Sequence, residues 1–153
     1  MPQPMRRTSL SHLNYIPRFY MGSGSAGSAE SGYLAFNNTY LNIGSHFNNS
    51  ATQSSANNRF TAPVKGDYYF HFHGFLDASM NNAQNGCHLY VNGADWPSKE
   101  IRNYTTSFSS GNYGPGMNIM ATLPLEVGDY VQIYCHHTLH GNNGYWFGGN
   151  LVG

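Results

Sequence analysis

Charge is what this sequence has least of. Only 9% of its 153 residues are Asp, Glu, Lys or Arg, where an average soluble domain carries roughly 25%. Seven cationic side chains cancel seven acidic ones. Such a chain has no basic surface to offer a phosphate backbone, so nucleic acid is excluded as a partner. It also lacks the cationic amphipathic helix that would lie on a membrane. Long apolar runs are missing too. No stretch approaches the roughly 18 consecutive apolar residues of a spanning helix, so membrane insertion is not expected. The first residues, Met1 to Arg7, carry two arginines with no apolar segment behind them, and a signal peptide is not expected. Cysteine is scarce: Cys87 and Cys135 could form one disulfide or remain two buried thiols.

Recognisable catalytic groupings are absent as well. The acids Glu30, Asp67, Asp77, Asp95, Glu100, Glu126 and Asp129 are scattered, and several occupy turn positions. No nucleophile elbow or phosphate-binding loop occurs. The chain reads as a non-enzyme with no cofactor.

What the sequence has is amides, hydroxyls, glycine and aromatics. It contains 18 Asn, 18 Gly and 15 Ser, with 40% hydrophobic and 15% aromatic residues. A core can be buried, so disorder is excluded. The pattern is short strands and turns rather than helix. Strands are expected at 33–36, 39–43, 45–48, 59–61, 67–77, 87–91, 101–108, 117–125, 130–136 and 145–152. Asn92-Gly93 is a strong hairpin signal, and Gly66 is expected to take a positive φ. About ten short strands imply an all-β, two-sheet sandwich or jelly roll. Residues 1–18 differ, with Pro2, Pro4 and Pro17 beside Arg6, Arg7, Tyr15 and Arg18. They read as an extended arm that docks on a partner, ahead of a domain at 19–153.

The long strand at 67–77 places Tyr68, Phe70, Phe72 and Leu76 on one side and Tyr69, His71, His73 and Phe75 on the other. A sandwich strand normally has one core side and one polar side. Outward aromatics with few charges are the composition of a protein interface, and Tyr130 and Tyr134 are added to it from the strand at 130–136. His71 and His73, spaced to reach one ion from one strand face, are the metal candidates. Their expected role is nonetheless that of hydrogen-bonded interface groups.

Two segments then carry a family resemblance. Phe36-Asn37-Asn38-Thr39-Tyr40-Leu41-Asn42-Ile43-Gly44-Ser45-His46-Phe47 is followed by Phe60-Thr61-Ala62-Pro63-Val64-Lys65-Gly66-Asp67-Tyr68-Tyr69-Phe70. Leu125 to Val131, with Gly128-Asp129 at its turn, and the ending Phe147 to Val152 come next. In this order and spacing they resemble the signature of the complement C1q globular-head family. The resemblance implies a ten-stranded C1q/TNF-like jelly roll that assembles as a homotrimer. It also implies calcium as a possible ligand, bound in some members through acidic and amide oxygens; no residues of this sequence match that site.

Animal members usually carry a signal peptide and a collagen stalk, and neither is seen in this sequence. The departure resembles viral use of the fold, with the virion surface or the extracellular space as the expected location. Two roles follow by analogy. One is a phage capsid decoration protein that docks on a capsid or other virion protein through residues 1–18. The alternative is a knob at a fibre tip that binds a host receptor or glycan through loops 49–58, 77–86, 109–116 and 138–144. Asn112, Tyr113, Asn142, Asn143 and Trp146 are its expected contact residues.

Overall fold

The computed structural model describes residues 16–23, 32–75, 79–80, 85–95, 102–105, 108–109, 116–136, 139 and 144–153. Among these residues the regular structure is strand. In chain order the strands are β1 (Arg18–Gly22), β2 (Gly32–Tyr33), β3 (Asn38–Ile43), β4 (Phe47–Asn48), β5 (Arg59–Thr61), β6 (Gly66–Phe75) and β7 (Ser79–Met80). There follow β8 (Asn85–Val91), β9 (Ala94–Asp95), β10 (Arg102–Thr105), β11 (Phe108–Ser109), β12 (Gly116–Leu125), β13 (Tyr130–Cys135) and β14 (Tyr145–Leu151). The expected strand at 101–108 is thus divided between β10 and β11.

Two antiparallel sheets form the expected jelly roll. The first has the order β12-β6-β14-β1-β3; the second runs β10-β8-β13-β5-β4, with β2 on β13 and β9 on β8. β7 and β11 pair separately. Alternation along β6 decides what lies between the sheets. Tyr68, Phe70, Phe72 and Gly74 point inward and are buried, while Tyr69, His71, His73 and Phe75 point outward and are half-buried. Phe19 and Met21 of β1 and Phe147 of β14 join the inward set, facing Phe47, Phe60, Leu89, Val131 and Ile133 of the second sheet. The Tyr145 hydroxyl donates to the Ala35 carbonyl at 2.7 Å, and burial pushes its pKa up to about 12.

β1 changes the expected boundary. Arg18 is its first residue, opposite Asn150 on one side and Ile43 on the other. It therefore belongs to the sheet rather than to an arm. Arg6, Arg7 and Tyr15 lie outside the described residues.

The turns follow local chemistry. Asn92 and Gly93 both take positive φ, at 54° and 80°, as a tight hairpin between β8 and β9 requires. The Asn92 side chain accepts from Tyr130 N at 3.0 Å and donates to the Asp129 carboxylate at 2.8 Å, which ties this hairpin to the turn before β13. Gly66 behaves otherwise than expected. Its φ is not positive; it is needed because a Cβ there would meet the Gly153 carbonyl oxygen at 2.5 Å and Leu151 Cδ1 at 2.6 Å.

β13 departs from simple alternation at Gln132. This side chain lies on the outer face yet is buried, because the segment 49–58 folds over it and Gln132 Nε2 donates to the Asn57 carbonyl at 2.8 Å. That segment is pinned by Asn58, a residue only 1% exposed with φ 57°. Asn58 Oδ1 accepts from Phe36 N at 2.9 Å and Ser50 N at 2.8 Å, and Nδ2 donates to the Thr52 carbonyl at 2.9 Å. A left-handed backbone suits asparagine better than most residues.

Cys87 and Cys135 sit opposite each other on β8 and β13 and form a disulfide. Their sequence separation of 48 residues corresponds to roughly 4 kcal/mol of loop-closure entropy. Replacing both with serine is expected to lower unfolding stability by about 2–4 kcal/mol, read from urea denaturation midpoints. Asn58→Ala is expected to cost about 2–4 kcal/mol by the same measurement, since it strands buried amide donors and loses a tolerated left-handed residue.

Candidate functional site

The outer face of the first sheet is built from residues that the register brings into rows. Met120 on β12 lies beside His71 on β6, then Gly148 on β14, then Tyr20 on β1. The next row is Asn118, His73, Trp146 and Gly22, and on the other side come Thr122, Tyr69, Asn150 and Arg18. Tyr40, from the bulged end of β3, leans over Gly22.

The rings touch one another across these rows. Tyr20 lies 5.5 Å from Tyr40 and 5.9 Å from His71, centroid to centroid, and His71 lies 6.0 Å from Tyr69. His73 stacks on Trp146 at 5.8 Å and meets Phe75 edge-on at 5.0 Å. Gly148 makes this possible. A Cβ there would collide with the His71 ring, so only glycine lets imidazole and tyrosine lie flat against the sheet. Toward the Arg18 end the face opens into a groove of about 690 Å³ lined by Arg18, Tyr20, Leu41, His71 and Asn150.

Electrostatically the face is almost bare. Arg18 stands at one end, and Asp67, which shares its side of β6 with Tyr69, stands at the same end. Burial among aromatic rings pushes the His71 imidazole below its ordinary pKa. His73 Nδ1 lies 2.6 Å from Asn118 Oδ1. Met120, 69% exposed, projects from the middle of β12, the edge strand beside His71.

Sequence reading grouped six residues as one interface. The structure brings together Tyr69, His71, His73 and Phe75. Tyr130 and Tyr134 do not join them: they lie on β13, on the outer side of the opposite sheet, because alternation fixes in or out but not which sheet. There Tyr134 stacks on Tyr90 at 5.0 Å and meets Tyr33 at 5.2 Å, while the Arg59 guanidinium lies 4.4 Å over the Tyr130 ring. Trp146, expected in a ligand loop, is an outward residue of β14 on the first sheet. Tyr20, Tyr40, Met120 and Gly148 belong to the site and were not anticipated. The Gly148-Gly149 pair within the closing motif was their available signal.

As metal candidates, His71 and His73 are each engaged by a neighbour, through ring stacking and Asn118 respectively. No group of three or more potential metal-ligating His, Cys, Asp or Glu side chains occurs among the described residues. Asn112, Tyr113, Asn142 and Asn143 lie outside the described residues, as do most of loops 77–86, 109–116 and 138–144. Loop 49–58 is described, and it packs along the second sheet through Asn58 and Gln132. The first sheet's strands show where the other three loops depart. Gly22, Phe75, Gly116 and Tyr145 gather at one end of that sheet, and Arg18, Gly66, Leu125 and Leu151 at the other.

No curated protein matches the sequence. Among solved structures, the globular domain of zebrafish complement 1qA protein is similar with a TM-score of 0.58 and 18% identity, covering 90% of this chain and 98% of that one. Murine APRIL is similar with a TM-score of 0.55 and 12% identity, covering 90% and 99%. At these identities the likeness establishes the shared jelly-roll fold. The model of the C1q domain matches residues 19–152, nearly the whole chain, and the protein belongs to the C1q domain family.

Proposed function

We propose that this chain is a non-enzymatic, homotrimeric binding module whose threefold contact is the outer face of the β12-β6-β14-β1-β3 sheet. The observation that carries the reading is the make-up of that face: seven ring-bearing side chains and Met120 spread across five strands, with Arg18 and Asp67 confined to one end. A lone protomer would leave this apolar surface in water, whereas copies packed on it recover the burial. C1q/TNF-like domains form homotrimers, bind receptors and are generally non-enzymatic, which agrees with the reading.

Such domains are typically extracellular. The Cys87–Cys135 disulfide supports the same location, since such bonds persist in oxidising compartments.

The polarity of the sheet supports a division of labour. The chain enters β1 and leaves β14 at one end, which suits attachment there. The loops after β1 and β6 and before β12 and β14 depart at the other end, which suits recognition of a receptor or glycan. A viral shell as the attachment partner, reached through residues 1–17, is a finer proposal that rests on analogy with phage modules and on the composition of the arm.

Met120 tests the core of this reading. Because Met120 is exposed in the protomer, Met120→Lys is expected to leave the protomer folded, read from an unchanged far-UV circular dichroism spectrum. In a trimer contact the same lysine would be buried without a partner. Sedimentation equilibrium at pH 8 is expected to give three protomer masses for the parent chain and one for the variant. A monomeric parent, or a trimeric variant of undiminished affinity, would overturn the assignment.

A further inference from the structure

We propose that His71 and His73 make assembly through this face dependent on pH, so that acid separates the protomers. The inference rests on the trimer reading above and adds a regulator to it.

The two imidazoles are on adjacent outward positions of β6, near the centre of the face rather than at its rim. Groups able to answer a positive charge there are few, and they can be gone through strand by strand. From β12, His71 and His73 face Met120, Asn118 and Thr122, none of which is charged. From β14 they face Trp146, Gly148 and Asn150, again uncharged. β1 supplies Tyr20 and the cation Arg18, and β3 supplies Tyr40 and Leu41. On β6 itself the neighbours are Tyr69, Phe75 and, at the rim, Asp67. Asp67 lies four residues from His71 and six from His73, about 13 Å and 20 Å along an extended strand. At those separations, at or beyond the screening length of ordinary buffers, it neutralises neither imidazolium well.

What this face itself carries to a contact with a second and third copy is that same largely uncharged set, with Arg18 and Asp67 at its rim. A protonated His71 would then lie among tyrosine rings with Arg18 as the nearest full charge, repeated around a threefold axis. In a separated protomer the same ring is half-exposed and water can solvate its charge. The covered face therefore holds protons less tightly than the open one, and dissociation takes up protons. The single-protomer direction already agrees, since burial lowers the His71 pKa before any partner adds to it.

The sign follows from linkage. A group whose pKa is depressed in the assembly supports assembly fully above its value in the free protomer. For His71 that support is lost as pH falls below its free-protomer value, which burial already holds under the ordinary histidine pKa. Each imidazole that must take up a proton weakens the dissociation constant by up to about tenfold per pH unit below that value. Repeated on three protomers, the effect accumulates as pH falls from 8 to 5.

Sedimentation velocity of the full chain at pH 8, 6.5 and 5, with circular dichroism at each pH, tests this. The parent is expected to be a trimer at pH 8 and folded monomer at pH 5, and the His71→Gln, His73→Gln double variant a trimer at both. A parent trimer that persists at pH 5 overturns the inference and leaves the trimer reading intact. A parent that is monomeric at pH 8 overturns the trimer reading itself. A double variant that dissociates in acid together with the parent overturns the assignment to these histidines. If the double variant does not assemble at pH 8, the single variants decide: each is expected to reduce the slope of log Kd against pH by about half, and unchanged slopes overturn the proposal.

Discussion

The two sheets are held together by interlocked rings, with Phe19 at their junction. Phe19 sits on β1, in the first sheet, yet its nearest aromatic neighbours include Phe47 at 4.8 Å and Phe60 at 5.0 Å from the second. On its own side it meets Phe147 at 4.9 Å and Phe70 at 6.2 Å. Gly149 lets this junction form, because a Cβ there would lie 2.6 Å from Phe70 and 2.9 Å from Phe19. Gly148, its neighbour in sequence, performs the same service on the opposite side for His71 and Tyr20. Two consecutive glycines in one strand thus admit rings to both faces of the sheet.

That double access explains the composition. A sandwich whose outer faces met water would need to charge them. Here one outer face is aromatic and the other is partly roofed by the segment that Asn58 anchors. Few positions remain that call for charge. Backbone amides of the turns, satisfied by Asn42, Asn58 and Asn92, take up polar work that lysine and glutamate perform elsewhere.

Much of this was legible in the residues. Strict alternation from Tyr68 to Phe75 named both faces of β6, and Asn92-Gly93 and Gly128-Asp129 named their turns. β1 was not legible: Phe19 and Met21 are only two inward residues, set between a proline-containing segment and a run of Gly and Ser. The site was half legible for a different reason. The outward residues of β6 follow from local period, but their companions on β1, β12 and β14 depend on strand order, which is set by contacts far apart in sequence. The same limit misplaced Tyr130 and Tyr134, whose outward direction was right and whose sheet was not. The burial of Gln132 depends on a loop folding back from more than seventy residues away, which no local pattern encodes.

The shared exit of both chain ends has a practical meaning. Pro17 and Leu151 are joined by a backbone hydrogen bond of 3.1 Å, so the points where the chain enters and leaves the first sheet are neighbours. A domain joined directly before Ile16 or after Gly153 would start from the same end of the first sheet. In a threefold assembly, three such fusions would emerge side by side. In such an assembly the fold would act as an adaptor, gathering its tethers at one end of the sheet and leaving the other end free.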